Sequence, residues 1–386
     1  MNRRTFIKLA ASMGATAAFG DLFGKPSKIR WQERREFFSE GVASGDPDDS
    51  SVLLWTRYGK PTSDASCELQ AEVSEDQSFK RVIAIASAHV SAASDWTCRV
   101  LVGGLKPRSI YWYRFVDAQG NGSRLGRTIT APSANDSRPV SFAFVSCQNA
   151  NQGAQNAYRR MIFEDERAPE DHQLGFVLHL GDFIYEIVWY PEDRPQGMYD
   201  RRLRDIVRYE HGEKISDFHI PTTVDDYRAI YRAYLHDPDL QDARARWPFV
   251  NMWDNHEFSW LGWQSLQKFQ GVTRPGQTRK VAANQAFFEF QPARMARPNG
   301  NSLEKFNGPK VEDVPITKFD DHGLGKEKNN LLAIQSLRGY RAGQRSNQLN
   351  YVPTRQINEM RNRQCLCGFA RFAYNAHSAL ADPDCS

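Results

Sequence analysis

The chain has 386 residues, a formal net charge of +4, 40% hydrophobic residues and 23 Phe, 14 Tyr and 9 Trp. That length predicts two domains, and the aromatic content supplies large side chains for their cores. So small a basic excess, interleaved with acidic residues, argues against a nucleic-acid-binding surface, and no run of about 20 apolar residues offers a transmembrane segment.

In chain order, NRRTFIKLAASMGATAAFG sets Arg3 and Arg4 before Phe6, Ile7 and Lys8, then enters a weakly apolar Ala/Gly stretch too short to span a bilayer. Read over residues 1–31, this is the pattern of a twin-arginine export signal, which predicts a periplasmic or secreted protein handled by the twin-arginine translocation machinery. From 37 to 133 the pattern is all β, with strands predicted at 51–58, 67–74, 81–90, 97–105 and 109–122 between Gly, Pro, Asp and Ser signals. Their spacing predicts a β-sandwich of fibronectin or immunoglobulin type. Cys67 and Cys98 both fall inside it, and a disulfide between them is one expectation for an exported chain. The polar stretch APSANDSRP (131–139) reads as a linker.

After the linker, strands alternate with helices, so the fold class is β plus α/β. VSFAFVSC (140–147) and GFVLHL (175–180) are continuous apolar runs suited to a sheet covered on both faces. The helix between them is expected to end at Pro169. A second helix starts from Thr223 with Asp226 three residues on, and Tyr227, Ile230, Tyr231, Tyr234 and Leu235 recur at helical spacing, most simply as core packing. WPFVNMWDNHE (247–257) is a third apolar run.

All three runs end in ligand-type residues: Cys147 with Gln148 and Asn149, Asp182 with Tyr185, and Asp254 to His256. In an α/β sheet the crevice beyond the carboxyl ends of the strands is where ligands bind, so these tips are expected to meet. Asp182 has two anionic oxygens and can bridge two metals, while a Tyr185 phenolate and a Cys147 thiolate favour a transition metal over calcium or magnesium. Asn255 offers a neutral amide oxygen to a second metal, and His256 can donate to a phosphate oxygen or act as general acid. Each residue has a plainer reading alone: a buried small hydrophobe, a helix cap, a turn amide, a core imidazole. Their coincidence at three successive strand ends favours the chemical reading, phosphoester hydrolysis.

SCQNA (146–150), HLGDFIYE (179–186), DDYRAIYRAYLHDPDLQDARARWPFVNMWDNHE (225–257) and GLKPRSIYWYRF (104–115) resemble the alkaline phosphatase D (PhoD)-like family of calcineurin-like metallophosphoesterases. The resemblance covers about residues 37–340. It implies an N-terminal fibronectin/Ig-like β-sandwich followed by a metallophosphoesterase-type α/β sandwich over 138–341, with a site that holds Fe(III) and Ca2+. Carried over by residue, it implies that Cys147, Asp182 and Tyr185 bind iron, that Asp182 also bridges to calcium, and that Asn255 binds the second metal. Glu186 and His256 would stand close by and, with Asp182, are the candidate catalytic groups. Many relatives have Asp-Asp-His where this chain has Asp254-Asn255-His256. The implied activity is hydrolysis of phosphate mono- or diesters by a metal-activated hydroxide, with nucleotides or phospholipid head groups as candidate substrates.

Beyond residue 341 the resemblance stops. The family's later G-D-x-H motif is not in the text, His322 and His377 follow no apolar strand, and Cys365 and Cys367 lack the second pair that zinc would need. The expectation is a second half truncated or altered near residue 342, a divergent and poorly ordered tail over 342–386, and a sheet left with a bare edge. Enzyme and catalytically inactive truncated product are therefore the two competing readings, with a non-enzymatic exported binding protein as a third.

Overall fold

The computed structural model describes residues 3–12, 15–21, 23–59, 66–197, 200–260, 262–263, 266–294 and 368–372. Its main sheet has eight strands, in the order Thr16–Phe19, Thr97–Gly103, Ser51–Arg57, Val42–Gly45, Pro248–Asn251, Leu174–His179, Val140–Val145 and Gly368–Phe372. A second sheet runs Gln32–Glu33, Asn121–Gly122, Ile110–Val116, Ser66–Ser74, Val82–Ser91, with Gly126–Ile129 also on Ile110–Val116.

The strand Ser51–Arg57 shows why the two sheets stack. Its side chains alternate across the pleat. Val52 and Leu54 enter the core shared with Leu69, Val73, Val100, Tyr113 and Phe115. Trp55, on the other face, joins the core built from Val145, Val177, Tyr231, Trp247, Phe249 and Phe287. An unbroken apolar run is what a strand covered on both sides requires.

The β part and the α/β part keep their expected characters, but they share one sheet. Val42–Gly45 pairs in parallel with Pro248–Asn251, Ser44 opposite Pro248 and Gly45 opposite Phe249. The stretch assigned to the export signal is also built in. Phe6 and Ala10, from the helix Arg3–Ser12, are buried with Leu53 and Leu101, and Thr16–Phe19 runs parallel to Thr97–Gly103.

The expected Cys67–Cys98 disulfide is not formed: both are free thiols, and they lie in different sheets. Cys67 lies opposite Val90 in one and Cys98 opposite Thr56 in the other. Among the described residues the edge of the sheet falls one strand beyond Val140–Val145. Gly368–Phe372, part of the stretch read as a poorly ordered tail, pairs antiparallel with Val140–Phe144. The remainder of 342–386, His322, and the Cys365/Cys367 pair lie outside the described residues. No helix among the described residues is long and apolar enough to cross a membrane.

The helix Asn156–Arg167 stops just before Ala168 and Pro169, as expected. In Val224–Leu235 the Thr223 side chain and Asp226 form the reciprocal capping box that their spacing predicts.

Candidate metal centre

Three neighbouring strands deliver the site from one end of the sheet. Val140–Val145, Leu174–His179 and Pro248–Asn251 are parallel, with Val145 opposite His179 and His179 opposite Asn251. Their carboxyl ends are therefore level, and the residues just beyond them meet. Two of the turns carry an uncommon backbone: Cys147 and Asp182 adopt φ of 57° and 54°, a left-handed conformation that few non-glycine residues take. Gly181, at φ 94°, has no such cost, and a Cβ there would lie 2.5 Å from Asp254 Cβ. The glycine before the aspartate lets the second and third loops touch.

Hydrogen bonds stitch the loops together. Cys147 N–H donates to Gly181 O (3.3 Å) and Gln148 N–H to Asp182 O (3.2 Å). Gln148 Nε2 donates to Phe183 O at 2.8 Å, and the Tyr158 hydroxyl fixes that amide by donating to its Oε1 at 2.6 Å. The buried Glu257 carboxyl group accepts from the N–H groups of Asp182 (3.0 Å), Phe183 (2.6 Å) and Asp254 (2.7 Å).

Within this frame the Cys147 thiol donates to Asp182 Oδ2 at 3.4 Å, and His256 N–H donates to Asp182 Oδ1 at 3.2 Å. The Tyr185 ring stacks on the His256 imidazole with centroids 4.0 Å apart, and Tyr185 N–H donates to the Tyr234 hydroxyl at 3.1 Å. His256 Nδ1 lies 2.7 Å from Glu186 Oε2, and Glu186 Oε1 also accepts the Trp260 N–H. The structure thus joins Cys147, Asp182, Tyr185, His256 and Glu186 in one network. Asn255 stands at its rim, its N–H donating to Asp254 Oδ1 (2.9 Å) and its Nδ2 to Trp260 O (2.7 Å).

The electrostatics are those of acids crowded together. Burial pushes the Cys147 thiol up to about 11, with the Asp182 charge adding to it. Burial, Asp182 and Cys147 raise the Tyr185 phenol. Asp182 is itself raised, by burial first and by Asp254, against the pull of His256. Burial lowers His256, but Glu186, Asp182 and Asp254 outweigh it and hold the imidazole above its usual value. Burial and Asp182 lift Glu257 well above the carboxylate range, against three backbone N–H groups.

Among the described residues no three of His, Cys, Asp and Glu are grouped as a metal shell. The donors that do converge are a thiol, a carboxylate and a phenol, a set whose softness and charge fit a transition metal. Two contributors escape the sequence reading. Tyr234, assigned to core packing, holds Tyr185 by its backbone. Glu257 ties two loops, and its one sequence signal is the Asp254-x-x-Glu257 spacing of a capping box, which the structure contains.

The model for PhoD-like phosphatase matches residues 142–308, and the model for the PhoD-like phosphatase N-terminal domain matches residues 24–132. The chain belongs to the PhoD-like phosphatase family. Alkaline phosphatase D of Bacillus subtilis (strain 168) is 31% identical to it over 277 residues, which make up 70% of this chain and 44% of that protein. A solved structure of PhoD aligns with a TM-score of 0.56 and 29% identity over 69% of this chain and 48% of that one. The chain therefore spans less than half the length of these two relatives. All the site residues of this PhoD-like chain described above, from Cys147 to Glu257, lie in the segment that the phosphatase model matches.

Proposed function

We propose that this chain is an exported, metal-dependent phosphoesterase of the alkaline phosphatase D kind, acting on phosphate mono- or diesters such as nucleotides or phospholipid head groups. One observation carries the reading: three level strand ends bring Cys147 against Asp182 and stack Tyr185 on an imidazole held by a buried carboxylate. Cys147, Asp182 and Tyr185 would hold Fe(III), and Asp182 with Asn255 would hold Ca2+. When bound, such cations supply positive charge for phosphoryl oxygens and lower the pKa of the attacking water. The protein's own groups do the rest. Glu186 holds the proton of His256 at Nδ1 and leaves Nε2 for a phosphoryl or leaving-group oxygen. The stacked Tyr185 ring fixes the plane of that imidazole.

The test is metal content and hydrolysis of p-nitrophenyl phosphate at alkaline pH. The unmodified chain is expected to hold iron and to turn over, and Asp182→Ala or Cys147→Ser to lose iron together with at least about 100-fold of the activity. A second reading, a chain that keeps the scaffold without turnover, is favoured by the absence of a third His, Cys, Asp or Glu donor among the described residues. Iron-free, inactive protein would decide for it.

A further inference from the structure

We propose that Glu257 is a positioning residue for the metal centre: by accepting three backbone N–H groups at once, it sets where the Asp182 loop stands against the Asn255 loop. The inference rests on the metallophosphoesterase reading for its consequence, though not for its geometry.

Glu257 is 0% exposed, so its carboxyl group meets no substrate. A local cap explains one of its bonds, that from Asp254 N–H to Oε2 at 2.7 Å. The other two, from Asp182 N–H to Oε2 at 3.0 Å and from Phe183 N–H to Oε1 at 2.6 Å, reach back 75 and 74 residues into the neighbouring loop. Asp182 returns the link by accepting His256 N–H at Oδ1 (3.2 Å), so the two loops are tied from both sides. Asp182 also holds a left-handed conformation, which persists only where the surroundings over-determine it. Both Glu257 oxygens are occupied. An isosteric amide would retain one acceptor oxygen and turn an NH2 donor against a backbone N–H.

The experiment uses the full chain and Glu257→Gln. In metal-free protein, hydrogen exchange at the Asp182, Phe183 and Asp254 amides is expected to accelerate at least about 10-fold in the variant, while the remote strand Thr97–Gly103 keeps its protection. Ferric iron supplied as its citrate is expected to bind about 10- to 100-fold more weakly, and kcat for p-nitrophenyl phosphate to fall by a similar factor with KM little changed. A variant with unmodified exchange at these amides and unmodified iron affinity overturns the proposal. Should Glu257→Gln fail to fold, the unmodified chain decides: exchange at these three amides as fast as in exposed turns overturns it. If the unmodified chain binds no iron, the functional reading fails while the exchange result still judges the positioning role.

Discussion

The buried acids at the α/β strand ends are handled differently from Glu72 and Glu40 in the β half. Glu72 and Glu40 are each matched by a base. Glu72, 0% exposed, accepts from Arg114 Nε at 2.8 Å and lies opposite it on the neighbouring strand, and Ser27 Oγ donates to its other oxygen at 2.6 Å. Glu40 accepts from Arg57 at 3.1 Å and pairs with His236 Nε2 at 3.1 Å. At the carboxyl ends of the α/β strands, Asp182, Glu186 and Glu257 meet backbone N–H groups, a thiol and one imidazole, with no Arg or Lys ion pair among the described residues. A buried charge without a partner is costly, so the first arrangement is architecture, and the second is the arrangement on which the proposed metal centre rests.

The contrast can be broken at its strong end. Glu72→Ala leaves the Arg114 guanidinium buried without its carboxylate and is expected to cost about 3–5 kcal/mol in urea denaturation. The acid limb of stability is a second handle. Burial raises Glu40, but His236, Arg57 and Ser39 outweigh it and hold its pKa down from 4.5 to about 2. A depressed folded pKa contributes stability that is complete above the unfolded value and is lost as pH falls through the folded one. Stability is therefore expected to drop by about 2–3 kcal/mol between about pH 5 and 2, and Glu40→Gln to flatten that part of the curve in denaturation series across this range. The smallest effect has the opposite sign. Asp182→Asn, with a chelator present, removes a carboxyl group that burial and Asp254 disfavour as an anion. The metal-free protein is expected to gain about 1 kcal/mol, read as a higher melting temperature, while losing metal binding.

How much of this is legible in the text depends on where the partner of each group lies. The strand ends are legible because apolar runs of similar length stop at Cys147 and before Asp182 and Asp254, and the parallel register brings Val145, His179 and Asn251 level. The role of Glu257 is not, since two of its three partners are backbone groups in another loop and carry no residue signature. Tyr234 reads as core because its helical spacing is apolar, and its hydroxyl contact to Tyr185 leaves no trace in that spacing. The shared sheet is hidden too. Val42–Gly45 is four residues long and ends in a glycine, a weak strand signal, and its partner Pro248–Asn251 lies some two hundred positions later.

The pairing of Val42–Gly45 with Pro248–Asn251 also bears on how the molecule divides. The proline-containing seam at 131–139 is punctuation in the chain, while the hydrogen-bonded ladder runs straight across it. Severing the polypeptide there would leave two sticky fragments, each presenting one half of the same broken ladder to the other. The two segments that separate family models match are thus a single mechanical body.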